Sequence, residues 1–297
     1  MFELGREEMV IVKIFGGLGN ELFQYALYRK LQRIGKNVFC DLNSLDEVKE
    51  KGFPTIRLFP NIKIRISSEE YRDQLGDVSR KFMARVRRRA WRKKTHIMED
   101  EKEKYFQKEI LDKDQVYLDG YWQSELYFQD IRQQLLEELK FPKVQEEKNK
   151  KIAIEMGERN SVSVHFRRGD YLQGRVAKIH GGLCSESYYS NAITYFKEKY
   201  PNVHFYIFSN DPDWVRKQYQ NVGLTIVDWN YGENSYWDMY LMSQCHHNII
   251  ANSSFSWWGA WLNQYKGKEV IAPKLWFNPK YITERDTVCK DWIRMEN

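Results

Sequence analysis

A chain of 297 residues, 42% hydrophobic and 30% charged, holds enough apolar material for a sizeable core and excludes a disordered chain, so two ordinary domains or one large α/β unit are expected. The opening MFELGREEM carries acids and no long apolar run, and no later run reaches spanning length, which argues for a cytoplasmic protein without signal or membrane helix. Cys40, Cys184, Cys245 and Cys289 are scattered and form no C-x-x-C pair, against a disulfide framework or zinc site and for reduced thiols.

The chain begins with the strand-like MVIVKIF, followed by Gly16, Gly17 and Gly19 and a helical pattern over 20–34. A dinucleotide turn would need a third glycine or alanine where Leu22 stands, so a nicotinamide oxidoreductase is the weaker reading. Asn20 is placed to cap the helix, and two readings stay open: a structural corner, or a loop bringing backbone N–H groups and the Asn20 amide to an anion. NVFCDL and QVYLDGYW read as further strands, and 124–140 as a helix. Between them lies the basic run RKFMARVRRRAWRKK, residues 80–94, where much of the net charge of +6 gathers. A solvated helix face or peripheral contact with an anionic membrane accounts for it; no nucleic-acid module accompanies it.

KFPKVQEEKNKK, residues 140–151, is charged and reads as the boundary between two α/β halves, 1–145 and 146–297. Beyond it, the strands SVSVHF, VHFYIFS, LTIVDW, NIIANS and EVIAPK alternate with helices at 186–199, 212–220, 235–246 and 255–265. Such alternation implies parallel sheets with ligands beyond the strands' carboxyl ends.

Chemistry-bearing residues gather there. SVSVHF ends in His165, Arg167, Arg168, Gly169 and Asp170; an arginine here can fork onto phosphate, or Arg168 can pair with Asp170 to close the turn. The Arg-Gly-Asp triplet of adhesion peptides is a chance match in a cytoplasmic chain. After VHFYIFS come Ser209 and Asn210, which can face a ligand, and Asp211-x-Asp213, better read as a helix cap with Pro212 at the first position than as a metal pair. Asp238 has capping-box spacing from Ser235, and alternatively can accept two hydrogen bonds from guanine. Ser253, Ser254 and Phe255 open a Trp-rich helix whose free N–H groups form an anion site, unless Ser254 is only a cap. The adjacent His246 and His247 point differently and share no metal.

In order, Gly17-Leu18-Gly19-Asn20, GYWQSELYF, HFRRGDY, FSNDPDW and NSSFSWWGAWL resemble the bacterial α-1,2-fucosyltransferases. The resemblance implies two facing Rossmann-like domains of the GT-B type, an acceptor-side N-terminal half and a GDP-fucose-binding C-terminal half. It also implies inverting transfer of L-fucose to the 2-hydroxyl of a terminal galactoside such as lactose or a lipid-linked oligosaccharide, with no metal or other cofactor. By that likeness Arg167 grips the leaving diphosphate beside His165, Asp238 meets guanine, Ser253, Ser254 and Phe255 form the phosphate loop, and Gly17 and Asn20 approach the donor from the other half. Asp170 is the positional choice for a general base. Tyr121, Trp122 and Gln123 are expected to stack on and hydrogen-bond the acceptor sugar, although aromatic residues at a strand end more often belong to the core. Glu21 departs from the family's usual glutamine and sets a negative charge near the diphosphate. A carbohydrate-binding module without catalysis is the alternative outside enzymes.

Overall fold

The computed structural model describes residues 8–296 except 53, 80–85, 88–90 and 220–222, and not the side chains of 47 and 48. The membrane expectation for 80–94 therefore falls largely outside the described residues. Among these, no helix is long and apolar enough to cross a membrane.

Numbered in chain order, the strands are β1 (Met9–Lys13), β2 (Asn37–Asp41), β3 (His96–Met98), β4 (Glu103–Lys104), β5 (Val116–Asp119), β6 (Ser161–Phe166), β7 (His204–Ser209), β8 (Leu224–Val227), β9 (His247–Ile249), β10 (Val270–Pro273), β11 (Thr283–Glu284) and β12 (Ile293–Met295). The helices are α1 (Leu18–Arg33), α2 (Leu45–Glu50), α3 (Glu69–Leu75), α4 (Arg132–Glu138), α5 (Glu147–Glu158), α6 (Gly174–His180), α7 (Glu186–Lys199), α8 (Pro212–Gln218), α9 (Tyr236–Gln244) and α10 (Ser254–Leu262).

Two parallel sheets result. One has the order β2-β1-β5-β3, the other β12-β10-β9-β6-β7-β8. β1 and β6 lie inside them; β1 is an apolar run closed by Lys13, and β6, although it alternates serine with valine, is buried along its whole length, as strands covered on both faces are. The second sheet reverses its winding once, between β6 and β9, and in the first the order places β2 and β5 on opposite sides of β1, which leaves a crevice at the carboxyl ends of β1–β5 and β6–β9. The short parallel pair β4–β11 ties the N-terminal half to the C-terminal segment.

One core runs through both halves. Phe23 of α1 meets Trp257 at 4.4 Å and Trp258 at 5.2 Å between ring centroids, and Phe128 stacks on Trp258 at 5.7 Å. A helix as apolar all round as SFSWWGAWL must be covered on every side, and the facing half covers it. Each such ring contributes about 1.5–3 kcal/mol through burial.

Several expectations shift in detail. The helix expected over 124–140 is two 3-10 turns, Glu125–Tyr127 and Gln129–Ile131, followed by α4, because Phe128 at φ −144°, ψ 8° leaves helical geometry. Residues 140–151 hold the start of α5, where the Glu146 carboxylate caps the N–H of Asn149 at 2.8 Å.

Candidate active site

The loops after β1, β5, β6 and β9 open into one cavity of about 1270 Å³. That exceeds the roughly 300–1,000 Å³ of a typical single-ligand site and leaves room for a donor and an acceptor together. It is lined by Gly17, Asn20, Tyr121 and Gln123 from the first sheet and by His165, Arg167, Asp170, Ser209, Asn210, Asp238, Ser253, Ser254 and Phe255 from the second.

Two helix starts meet at its floor. Gly16, at φ +92°, turns the chain so that α1 begins at Leu18 with Gly17 as N-cap and no side-chain cap. Asn20 therefore lies in the first turn and caps nothing; its carbonyl accepts from Gln123 Nε2 at 2.7 Å across the two loops. Opposite, α10 begins at Ser254; the N-cap is Ser253, and its hydroxyl makes no capping bond. The capping reading of Ser254 gives way to two positive helix ends aimed at one cavity.

Beside them, Arg167 Nη2 donates to Asp170 Oδ2 at 3.0 Å, while Arg168 donates through Nε to Asp211 at 3.2 Å and lies over the Trp214 ring at 3.8 Å. The arginine that pairs with Asp170 is thus Arg167 rather than Arg168, because Arg168 turns to the other side of the strand end. Arg167 Nε and His165 Nδ1 are both buried with no hydrogen-bond partner. An unpartnered buried donor is costly, and an anionic oxygen would satisfy Arg167 Nε–H, as it would His165 in the tautomer that carries its proton on Nδ1. Burial, and secondarily the Arg167 charge, push His165 down to about 3, so its imidazole is neutral at physiological pH. Ser209 Oγ accepts from the N–H of Asp211 and Asn210 Oδ1 from the N–H of Arg168, at 3.0 and 2.9 Å. Asp211 caps α8 through the N–H of Trp214 at 3.2 Å, with Pro212 first in the helix, and Asp213 pairs with Arg216. Among the described residues no cluster of three acidic, His or Cys side chains could hold a metal.

Asp238 borders the cavity in the first turn of α9, where Ser235 makes no side-chain cap. Asn230 Nδ2 donates to its Oδ1 at 2.9 Å, and burial raises the carboxyl to about 8 despite that bond.

On the acceptor side Tyr121 and Gln123 line the cavity, but Trp122 does not. It is 1% exposed, packed edge-on against Tyr127 at 6.1 Å, and takes φ +53°. The acceptor expectation for Trp122 is corrected to a core role, since the turn after β5 reverses the side chain into the apolar interior. Glu99 fixes that turn, accepting from the N–H of Tyr121 at 2.8 Å and of Trp122 at 3.2 Å. Glu21 faces neither ligand nor solvent; fully buried, it accepts from the N–H of Ile56 at 2.7 Å. Burial lifts it to about 8.

His180 and Asn230 also line the cavity and carried no signal in the sequence, and Tyr171, which closes the HFRRGDY motif, was given no role there. His180 stacks on Tyr171 at 5.1 Å, and burial pushes it down to about 4. These residues come from short turns and from α6, which has no buried face and hence no apolar period to mark it.

The sequence profile described as Glycosyl transferase family 11 matches residues 58–296. An α-1,2-colitosyltransferase of Escherichia coli is 34% identical over 309 residues, covering 97% of this chain and 99% of that protein. The O-antigen biosynthesis glycosyltransferase WbnK of Escherichia coli is 40% identical over 119 residues, 40% of this chain and 39% of that one. Galactoside α-(1,2)-fucosyltransferase 1 of Leontocebus fuscicollis is 33% identical over 106 residues, 35% and 29% of the two chains.

Proposed function

The chain belongs to glycosyl transferase family 11, and from that premise we propose that it transfers L-fucose from GDP-β-L-fucose to the 2-hydroxyl of a terminal galactoside, forming an α-1,2 linkage with inversion. Membership sets aside the oxidoreductase and the non-catalytic carbohydrate-binding module. The observation that carries the reading is the meeting of two helix N-termini and the Arg167 guanidinium in one cavity.

Cleavage of the fucose–phosphate bond builds negative charge on the β-phosphate and oxocarbenium character on the sugar. The N-termini of α1 and α10 and the fork of Arg167 answer the negative charge; an ionised donor in a water-poor site contributes about 2–4 kcal/mol toward the transition state. Neutral His165 lies beside the phosphate without adding charge. Asp238, braced by Asn230, accepts from the adjacent N–H donors of guanine. As Arg167 turns to phosphate, Asp170 is released to take the proton of the attacking hydroxyl. Tyr121 offers its ring, and Gln123 its amide, to the acceptor sugar. In this scheme no metal takes part.

A second donor has a specific observation behind it: the relative spanning the whole chain is named a colitosyltransferase, and colitose is L-fucose without its 3-hydroxyl. Incubation with lactose and either GDP-fucose or GDP-colitose, in EDTA, tests both. Fucosyl-α-1,2-lactose is the expected product; colitosyl product alone shifts the donor, and activity returning only with manganese restores the Asp211–Asp213 metal reading. A lipid-linked acceptor would bring the basic run 80–94 to an anionic membrane, which vesicle flotation reads directly.

A further inference from the structure

The guanine contact is held by a chain of hydrogen bonds that begins outside the cavity. Trp229 Nε1 donates to Asn149 Oδ1 at 2.7 Å, Asn149 Nδ2 donates to Asn230 Oδ1 at 2.9 Å, and Asn230 Nδ2 donates to Asp238 Oδ1 at 2.9 Å and back to Asn149 Oδ1 at 3.2 Å. We propose that Asn149 and Trp229, neither of which lines the cavity, are positioning residues that set nucleobase specificity by dictating which atoms Asp238 can present. The proposal rests on the reading of Asp238 as the guanine contact.

The polarity of the relay follows from its first member. An indole N–H can only donate, so the Asn149 atom facing it is the carbonyl oxygen and the amide nitrogen must face Asn230. That places the oxygen of Asn230 toward Asn149 and its nitrogen toward the carboxylate. Flipping Asn230 would set its oxygen against both Asp238 Oδ1 and Asn149 Oδ1, two acceptor–acceptor contacts at partly buried sites. Asn149 is fully buried, and the Glu146 carboxylate holds its backbone N–H at 2.8 Å. The Lys148 ammonium sits 3.7 Å over the Trp229 ring and braces the donor end.

The consequence reaches the ligand. Once ionised, with Oδ1 held by the Asn230 amide, Asp238 has only acceptor positions to offer. Guanine presents adjacent N1–H and N2–H donors; adenine presents an acceptor at N1, and hypoxanthine lacks the second donor. Without the relay, Asn230 turns freely and the carboxylate loses its fixed aim, while the diphosphate contacts of Arg167 and the helix starts are untouched. A site built around paired donors discriminates strongly only while its own groups are held in place.

The test compares binding of GDP, IDP and ADP by calorimetry, with donor kinetics, for wild type, Trp229→Phe, Asn149→Leu and Asp238→Asn. Trp229→Phe keeps the ring over Lys148 and removes only the N–H, so it serves where Asn149→Leu does not fold. Loss of the relay is expected to weaken GDP about 10-fold and leave ADP within about two-fold, with KM for the nucleotide sugar raised and kcat at saturating donor within about two-fold. A general loss of structure would instead lower all three nucleotides and kcat together. Trp229→Phe with an unchanged GDP:ADP ratio overturns the relay when Asp238→Asn loses the preference for GDP. An Asp238→Asn protein that binds GDP as wild type does overturns the guanine contact itself, and the relay with it.

Discussion

A Cβ added to Gly19 would lie 2.5 Å from the carbonyl carbon of Ser254 and 2.7 Å from the N–H nitrogen of Phe255, so the starts of α1 and α10 touch backbone to backbone. No flexible side chain can yield there. Gly19→Ala is expected to pry the two helix ends apart, lowering stability by about 1–3 kcal/mol and GDP affinity at least about tenfold. Gly157→Ala is the control: Gly157 lies in α5 away from the cavity, with no atom within 4 Å of an added Cβ. Thermal melts with and without GDP read both, and equal behaviour of the two variants would remove the paired-helix site.

Arg167→Lys keeps a charge and loses the planar fork. Transfer is expected to fall about 100- to 1,000-fold, the equivalent of about 2–4 kcal/mol of transition-state stabilisation. The melting temperature without ligand should hardly move, because the Arg167–Asp170 pair is partly solvated. Near-normal kcat/KM would exclude Arg167 from the leaving-group site.

Nucleotide binding should tighten as pH rises. Asp238 in the empty site is raised to about 8 by burial, so it is mostly protonated at neutral pH, whereas guanine needs the carboxylate. The observed Kd for GDP is therefore expected to drop by up to about tenfold per pH unit approaching pH 8 and then level off. Asp238→Asn should flatten the profile, apart from the ionisation of GDP itself. A wild-type profile already flat between pH 6.5 and 8 would mean that Asp238 does not give up a proton on binding.

Glu21 predicts a stability effect of its own. Its folded carboxyl is raised from 4.5 to about 8, so the folded state prefers the protonated form. Its stabilising share is fully present below about 4.5 and is lost progressively as pH climbs from there through about 8. Glu21→Gln, neutral throughout, should melt slightly above wild type at pH 5 and several degrees higher at pH 8. Parallel melting curves at both values would show that Glu21 is ionised in the fold.

Much of this was legible in the chain. SVSVHF and the helix over 186–199 appear at the expected residues because Val162, Val164 and Phe166 alternating with smaller polar residues, and a Ser185-capped amphipathic stretch, each favour one local geometry. The residues gathered at strand ends converge because parallel topology sends those ends to one edge. Three-residue strands such as β3 and β12 left no periodic trace, and Asn149 looked like one more polar residue in a charged segment.

The sequence by itself determined two parallel α/β halves, the polar loops at their strand ends and the family likeness, since these follow from local periodicity and from motifs whose residues are neighbours along the chain. Only the tertiary structure decided that Trp122 is core, that Arg167 rather than Arg168 pairs with Asp170, that Glu21 is buried, and that an indole at 229 is linked through two amides to a carboxylate at 238. Each of those depends on which way a side chain leaves a turn and on what a segment distant in sequence brings to meet it. Contacts of that kind are fixed by packing between elements rather than by the propensities of any one of them.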